Sequence, residues 1–150
     1  MNKTYSKNGV SFSYSSGWGL IDEEWGDQIS ALTFEDDDEG IYMIDIYHSA
    51  SDRTLDEYLD IHFRSFLSEL PFGSKVVDGP DISDVSNDGV LGKELRFTVK
   101  TLFMFKYSYI NSGFRLVSEN CVSFISSQYP KDNEINAKKS FSELVASYCA

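Results

Sequence analysis

The segment that most constrains the fold is residues 91–110, LGKELRFTVKTLFMFKYSYI, in which apolar and polar residues alternate. Such alternation is typical of β-strands with one apolar face. Because a single strand is usually only about five or six residues long, we predict a hairpin that turns near residues 100–102. That turn would place Val99 opposite Phe103 and Phe97 opposite Phe105. No Gly, Asn or Pro marks the turn, so one long, bent strand is the alternative.

Three shorter segments nearer the N-terminus also have strand patterns. Residues 10–14 alternate apolar residues with serines after an Asn8-Gly9 turn. Residues 28–34 and 41–48 follow, joined by an acidic loop around residues 35–40. Residues 41–48 are apolar on both faces, which predicts a central strand covered on both sides.

A helix is predicted from residue 54 to residue 70. Thr54 and Glu57 form a Thr-x-x-Glu capping box at its start, and Pro71 and Gly73 follow its end. Apolar residues recur between them at the i, i+3, i+4, i+7 spacing of one helix face. We expect that face to pack on the sheet; it contains Leu55, Tyr58, Leu59, His62, Phe63, Phe66, Leu67 and Leu70.

The remainder of the chain gives weaker signals. Residues 75–77 predict a short strand, and residues 78–89 a polar connection that ends in the turn Asn87-Asp88-Gly89. Asn111-Ser112-Gly113 predicts a hairpin turn, after which residues 114–125 return as one strand. A final helix places apolar side chains on one face: Ala137, Phe141, Leu144, Val145 and Tyr148.

The order of these elements predicts the fold class. Strands, a helix, more strands and a second helix follow one another without a β-α-β rhythm. We therefore expect a single α+β domain over residues 1–150, with a mainly antiparallel β-sheet covered by two principal helices.

Several short motifs resemble PsbP-like domains. Residues 5–18, YSKNGVSFSYSSGW, resemble the opening strand of that superfamily, and residues 54–58, TLDEY, are similar to the start of its first helix. Residues 92–97, GKELRF, and Ser140-Phe141 resemble a later strand and the last helix. The superfamily includes photosystem II extrinsic proteins, a Ran-binding import factor, DcrB-like envelope proteins and Eag chaperones. The resemblance implies an α/β/α sandwich and a protein-binding role without a shared catalytic centre.

Charge and hydropathy limit the classes of partner that the chain can bind. The 24 acidic and 13 basic residues give a net charge of −11, which repels nucleic acids and anionic membranes. It suits a basic protein partner, although solubility alone would also explain it. No apolar run reaches transmembrane length, so we expect no membrane insertion. A complete chain would be cytoplasmic, and one that has lost a signal peptide would be periplasmic. The oligomeric state is not indicated.

No motif predicts an enzyme or a cofactor. The sequence contains no P-loop, no G-x-G-x-x-G and no G-x-S-x-G. Cys121 and Cys149 are expected to be free, partly buried thiols, and His48 and His62 to be structural. A hydrolase would need a Ser or Cys brought next to one of these histidines in space.

The acidic loop is a weak metal candidate. An EF-hand starting at Asp36 would need a glutamate where Tyr47 stands. A solvated hairpin loop is therefore the preferred interpretation, and no metal site is predicted. If the loop did bind calcium, the ligands would come from Asp36, Asp37, Asp38 and Glu39.

The remaining candidates are surface residues for a protein partner. Trp18 and Trp25 flank the acidic run Asp22, Glu23 and Glu24, which we expect to form a solvated loop. Aromatic residues among charges are typical of interface hot spots. Trp18 is alternatively a plug for the sandwich. Met104 belongs to the other face of the long hairpin, which is either a second binding patch or a strip under the last helix.

These features favour a non-enzymatic protein-binding module, such as a bacterial secretion-effector chaperone or toxin-immunity protein. The alternative is a small-molecule or calcium-binding domain that uses the acidic loop and an aromatic cleft near Trp18 and Trp25.

Overall fold

A seven-stranded antiparallel sheet dominates the computed structural model, which describes residues 2–49 and 51–150. Its strands are β3 (Gly19–Glu24), β4 (Ile29–Glu35), β5 (Ile41–Tyr47), β6 (Lys75–Asn87), β7 (Val90–Lys100), β8 (Lys106–Val117) and β9 (Val122–Pro130). The other elements are the hairpin β1 (Asn2–Lys7) and β2 (Val10–Ser15), and the helices α1 (Leu55–Ser68) and α2 (Glu134–Ser147). A short 3-10 turn, Lys131–Asn133, precedes α2.

The strand order across the large sheet is β3-β4-β5-β9-β8-β7-β6. Every pairing between neighbouring strands of this sheet is antiparallel. Strands β3 and β6 form its two edges. The predicted α+β class with a mainly antiparallel sheet is confirmed.

Two hydrophobic clusters lie on opposite faces of the sheet. Helix α2 and the β1–β2 hairpin cover one face, where Phe34, Ile44 and Phe141 are buried together. Helix α1 covers part of the other face, where Phe63 packs with Phe97. One helix on each face gives the predicted α/β/α sandwich.

Helix α1 begins as its capping box predicts. The hydroxyl of Thr54 accepts a hydrogen bond from the Glu57 amide at 3.1 Å, and the Glu57 carboxylate accepts one from the Thr54 amide at 3.5 Å. These two bonds satisfy amide groups that have no partner within the helix. The predicted apolar face is buried at Tyr58, Leu59 and Phe63.

The hairpin predicted in residues 91–110 is confirmed, but the expected pairing is wrong. Lys100 lies opposite Lys106 and Val99 opposite Tyr107, so five residues form the loop. Phe103 and Phe105 therefore lie in the loop, with 79% and 63% of their surface exposed, rather than in the core. The apolar run therefore continues through the loop, where the side chains of residues 102–105 are exposed.

Two turn predictions in the second half of the chain have different outcomes. Asn87-Asp88-Gly89 does turn β6 into β7, and Asp88 and Gly89 have positive φ. Asn111-Ser112-Gly113 lies inside strand β8, so that turn is wrong. The chain reverses instead after β8, where the Ser118 amide donates to the Cys121 carbonyl at 2.9 Å. The single strand predicted for residues 114–125 is consequently parts of two.

Contacts from distant residues explain the misplaced turn. Ser112 and Ser127 lie opposite each other in β8 and β9, with their buried hydroxyls 2.7 Å apart. A Cβ atom on Gly113 would lie 2.9 Å from a methyl group of Leu59. Gly113 therefore permits the close approach of α1 rather than a change of chain direction.

Four further expectations need correction. Residues 78–89 are mostly strand β6 rather than a polar connection, and Asp22, Glu23 and Glu24 lie in edge strand β3 rather than in a loop. Strand β5 is central, but only one of its faces is fully buried. That face carries Tyr42, Ile44 and Ile46. Cys149 is exposed, whereas Cys121 is half-buried as expected.

Candidate functional site

Half of one sheet face is left without a helix above it. Helix α1 packs over β7, β8 and β9, and the register of β3, β4 and β5 places a second set of side chains on the same side of the sheet. Each of these side chains is exposed or half-buried. We call this surface the open half-face; it consists of Asp22, Glu24, Ile29, Ala31, Thr33, Glu35, Ile41, Met43, Asp45 and Tyr47.

The open half-face has an apolar centre framed by carboxylates. Thr33 lies directly opposite Met43, and Ile29, with 48% of its surface exposed, lies opposite Tyr47. Acidic side chains flank this centre on β3, at the end of β4 and on β5: Asp22, Glu24, Glu35 and Asp45. An apolar centre with a charged rim is the usual composition of a protein-binding surface.

Asp45 forms the border between the open half-face and helix α1. Its carboxylate accepts a short hydrogen bond from the Tyr58 hydroxyl and lies 3.6 Å from Nε2 of His62. The Tyr58 hydroxyl is also 3.3 Å from Oγ of Ser126. Burial, and then the nearby Asp45 carboxylate, raises the pKa of Tyr58 well above its ordinary value. The hydroxyl therefore stays protonated and holds α1 against β5.

Glu23 points to the other side of β3, where it fastens the β1–β2 hairpin. Its carboxylate accepts hydrogen bonds from the Tyr5 hydroxyl and, at 3.2 Å, from Nζ of Lys7. These two donors lower the pKa of Glu23. Burial, followed by the hydrogen bond to Glu23, raises the pKa of Tyr5 to about 12. Nε1 of Trp25 donates to the same Tyr5 hydroxyl at 3.2 Å, so Trp25 is half-buried and held in place.

The two tryptophans do not form a common cleft. Trp18 precedes β3 and Trp25 follows it, so they lie at opposite ends of that strand. The Trp18 indole stacks on Tyr42 with ring centroids 3.7 Å apart and has only 3% of its surface exposed. This placement matches the alternative of a core plug and leaves almost no Trp18 surface for a partner to contact.

The structure separates the six predicted partner-binding residues. Asp22 and Glu24 lie on the open half-face, Glu23 and Trp25 on the opposite side of β3, and Trp18 in the core. Met104 is 67% exposed in the β7–β8 loop, at the far side of the sheet.

The acidic loop uses its first carboxylate to close the β4–β5 turn. Oδ1 of Asp36 accepts from the amides of Asp38 at 2.9 Å and Gly40 at 2.7 Å, and Oδ2 accepts from the Tyr42 hydroxyl at 2.8 Å. Asp37, Asp38 and Glu39 are exposed. No group of three or more His, Cys, Asp or Glu side chains in residues 2–49 and 51–150 is arranged to hold a metal ion.

One histidine does lie beside a hydroxyl nucleophile. Nε2 of His48 is 2.7 Å from Oγ of Ser30. Ser30 is completely buried, however, and its Oγ also accepts a hydrogen bond from the Gly26 amide at 3.2 Å. A substrate cannot reach this oxygen, and within the described ranges no carboxylate lies within 4 Å of His48 to orient the imidazole. The pair supports the turn between β3 and β4.

Most of the open half-face was not recognised from the sequence. Residues 41–48 look apolar on both faces, so the strand was expected to be covered on both sides. The available signal was in β4, where Leu32 and Phe34 alternate with the smaller Ala31 and Thr33. Small and polar side chains on one face indicate a surface that the domain does not bury by itself.

The fold is PsbP-like. Cyanobacterial PsbP (CyanoP) from Synechocystis sp. PCC 6803 superposes with a TM-score of 0.54 and 18% identity, over 98% of this chain and 91% of that one. The Ran-binding protein Mog1p from Saccharomyces cerevisiae gives 0.53 and 10%, over 99% and 94%. A protein from Bacteroides thetaiotaomicron gives 0.57 and 18%, over 99% of this chain and 48% of its own. These likenesses confirm the fold that the sequence motifs predicted.

No protein-family model and no curated protein matches the sequence. Among the described residues, no helix is both long and apolar enough to cross a membrane.

Proposed function

We propose that this chain is a non-enzymatic accessory protein that binds a protein partner on the open half-face. The observation that carries this proposal is the uncovered surface of β3, β4 and β5, where an apolar centre lies beside edge-strand carboxylates. Proteins that act alone seldom leave contiguous apolar sheet surface exposed. The buried Ser30 hydroxyl and the engaged Asp36 carboxylate give no comparable support to a hydrolase or a calcium-binding domain.

The charges around this surface favour a basic partner. Four carboxylates frame the open half-face, and Arg53 is a basic group at its border, where it donates to the Tyr47 hydroxyl at 3.2 Å. A partner segment with apolar residues flanked by Lys or Arg would complement both the centre and the rim. The rim would speed association and make it sensitive to salt, while the apolar centre would determine how slowly the complex dissociates.

A secretion-effector chaperone or a toxin-immunity protein is the role that we infer. Both hold a single protein partner without chemistry, and both fit a chain whose net charge is −11. Mog1p, which is Ran-binding, is an example of a protein-binding member of this fold.

Affinity capture from the native host tests the proposal. The variant Asp22→Lys/Glu24→Lys reverses two exposed charges on the rim, and Met43→Lys places a charge in the apolar centre. The matched control, Glu119→Lys/Asp132→Lys, makes the same change in net charge at exposed positions elsewhere. We expect one protein to be captured by the unaltered chain and by the control but lost with both half-face variants.

A salt wash separates the two components of binding. At roughly 1 M salt, where screening acts over about 3 Å, a partner held by the rim is released and one held by the apolar centre stays bound. The identity of the captured protein decides between the chaperone and immunity roles. Equal capture by all variants, or no capture at all, would overturn the proposed site.

A further inference from the structure

A second surface, at the end of the β7–β8 hairpin, is more apolar than the open half-face. Leu102, Phe103, Met104 and Phe105 are consecutive, and 58%, 79%, 67% and 63% of their respective surfaces are exposed. Tyr107 is 49% exposed and Phe72, in the α1–β6 loop, is 92% exposed. A Cβ atom on Gly73 would lie 3.0 Å from Leu102, so the two loops lie side by side. We call these six residues the apolar tip.

One residue of the apolar tip, Met104, has a backbone conformation that is unfavourable for its long side chain. The Met104 amide donates to the Thr101 carbonyl at 3.0 Å, and the Thr101 amide donates to the Phe105 carbonyl at 2.8 Å. This turn places Met104 in the left-handed region, with φ of 70°. Gly or Asn normally occupies such a position, because a long side chain is strained there. The geometry of the turn therefore does not account for an apolar side chain at this position.

A row of lysines lies at the base of the apolar tip. Lys75 of β6 pairs with Lys100 of β7, which in turn pairs with Lys106 of β8. Directly paired side chains lie on the same side of a sheet, and like charges in this arrangement destabilise it. Among the residues that the structure describes, no carboxylate lies within 4 Å of these three ammonium groups. Within the described part of the chain, none of the three lysines is therefore held in an ion pair, and the row is suited to an external anion.

We propose that the apolar tip docks this protein on an anionic phospholipid membrane. The Phe, Leu and Met side chains would enter the boundary between headgroups and acyl chains, about 5–10 Å deep. Tyr107 would lie at the level of the headgroups, and the lysine row would face their phosphates. A bilayer is favoured over a protein groove because the four consecutive apolar side chains of the loop are all exposed and lie beside a row of three lysines outside any ion pair.

The overall negative charge does not prevent this docking. Electrostatic interactions between exposed charges are screened beyond about 8 Å at physiological salt, so the three lysines at the base of the tip act more strongly than distant carboxylates. Glu39 and Asp132 line a shallow cavity with Lys106 and Tyr107, which makes the attraction moderate and dependent on salt. This inference goes beyond the proposed protein-binding function, which uses a different surface. It also departs from the expectation that the net charge excludes anionic membranes.

Vesicle flotation tests the proposal with the whole chain. We expect the chain to float with vesicles of phosphatidylcholine and phosphatidylserine, to bind phosphatidylcholine alone much more weakly, and to dissociate as salt increases. Phe103→Ser/Phe105→Ser should weaken binding by at least about tenfold, from the lost apolar burial. Lys75→Gln/Lys106→Gln should weaken it by about fivefold for each lysine removed and reduce the salt dependence.

Matched controls identify the surface responsible. Leu91→Ser/Val117→Ser removes two exposed apolar residues at the other end of the same strands, and Lys3→Gln/Lys139→Gln removes two exposed lysines elsewhere. Both controls should bind like the unaltered chain. The proposal is overturned if the unaltered chain does not float with anionic vesicles, or if the tip and control variants bind equally. It is also overturned if the tip instead mediates association between copies of the chain, detected as a concentration-dependent mass that Phe103→Ser/Phe105→Ser abolishes without any vesicle binding.

Discussion

The hydroxyl of Tyr58 joins helix α1 to the sheet at the edge of the open half-face. The Tyr58 ring stacks on Phe124 with centroids 4.5 Å apart, and its hydroxyl donates to Asp45. Ring and hydroxyl therefore fix the helix in two ways, by apolar packing and by a hydrogen bond to a charged acceptor. The position of α1 in turn determines how much of the sheet stays uncovered.

Removing only this hydroxyl should lower the free energy of unfolding measurably. Tyr58→Phe retains the stacked ring but leaves the Asp45 carboxylate without its buried donor. We expect a loss of about 1.5–3 kcal/mol, as for hydrogen bonds to charged groups, measured by urea denaturation. The control Tyr107→Phe alters an exposed residue and should change stability by less than about 0.5 kcal/mol. Equal effects of the two substitutions would show that the hydroxyl adds nothing beyond the ring.

The ion pair between Arg96 and Glu134 makes the stability of the fold depend on pH in the acidic range. The Arg96 guanidinium donates to both carboxylate oxygens of Glu134, at the start of α2, and to Oε2 of Glu94 at 3.1 Å. The hydrogen bond from Arg96 holds the pKa of Glu134 below its ordinary value of 4.5. The folded chain consequently binds this proton less readily than the unfolded chain. The stabilisation is fully present above pH 4.5 and is lost as the pH falls through the lower, folded-state pKa.

We predict that Glu134→Gln flattens the acid limb of the stability profile. The melting temperature of the unaltered chain should fall more steeply below about pH 4.5 than that of the variant. The control Glu119→Gln, at an exposed position in the β8–β9 turn, should retain the steep fall. Parallel profiles for all three proteins would mean that another carboxylate controls acid unfolding.

At the scale of the elements, the sequence correctly predicted those helix ends and turns that are formed by contacts between neighbouring residues. The capping box of Thr54 and Glu57 located the start of α1, and Asn87-Asp88-Gly89 located the β6–β7 turn. Each of these features is formed by residues within four positions of one another. Only residues 75–77 of strand β6 were predicted as strand. The rest was missed because it belongs to an edge strand of exposed Asp, Ser and Gly residues with no apolar alternation.

Features that depend on distant residues were not predictable in this way. Gly113 has the local chemistry of a turn residue, but contact with Leu59 and the pairing of Ser112 with Ser127 keep it within a central strand. The same reason explains the incomplete prediction of the candidate site. Asp22 and Glu24 were recognised from their charge, whereas Thr33 and Met43 become a surface only because α1 covers the other half of the sheet.

The apolar face of α1 can be tested at Phe63. Its ring packs edge-to-face on Phe97 with centroids 4.7 Å apart, and 8% of its surface is exposed. Phe63→Ala should lower the free energy of unfolding by about 3–5 kcal/mol because it leaves a cavity between the helix and the sheet. Phe72→Ala removes the same atoms from a residue that is 92% exposed, and it should have little effect. A loss below about 1 kcal/mol for Phe63→Ala is incompatible with burial of this ring between the helix and the sheet.

The β7–β8 hairpin should become more stable when its strained residue is replaced. Met104→Gly relieves the left-handed backbone conformation, and we expect a gain of about 1 kcal/mol in the free energy of unfolding. Leu102→Gly, in the same loop but at a position without positive φ, should instead lose about 0.5–1 kcal/mol through chain entropy. If both substitutions lower the free energy of unfolding, the left-handed conformation of Met104 does not destabilise the folded protein.

At the scale of the whole molecule, the average charge conceals a separation of charges. The net charge of −11 predicts repulsion from any anionic surface, yet Lys75, Lys100 and Lys106 form a basic row behind the apolar tip. Asp22 and Glu24 lie on β3, the opposite edge strand from β6. Sequence composition cannot show this separation because the residues of each patch come from different strands. The two proposed surfaces thus call for partners of opposite charge.

The tyrosines should make the whole fold sensitive to alkaline pH. Burial is the largest cause of a raised pKa at Tyr5, Tyr42, Tyr58, Tyr109, Tyr129 and Tyr148. For Tyr5 and Tyr148 the folded-state pKa is about 12, against an ordinary value of 10.0. The unfolded chain thus loses these protons at lower pH than the folded chain. The stabilisation is complete below pH 10 and is lost progressively as the pH rises towards 12 and beyond.

Tyrosinate absorbance, followed during a titration, measures this difference directly. In urea, the chain should ionise its tyrosines in one transition near pH 10. The folded chain should ionise fewer of them until it unfolds, after which the remaining tyrosines should ionise abruptly. Tyr148→Phe removes one half-buried phenol while keeping the ring, and it should raise the pH at which the fold is lost. If the folded and urea titrations coincide, these phenols are accessible to solvent and the packing of α2 and the β1–β2 hairpin on the sheet is looser than the structure shows.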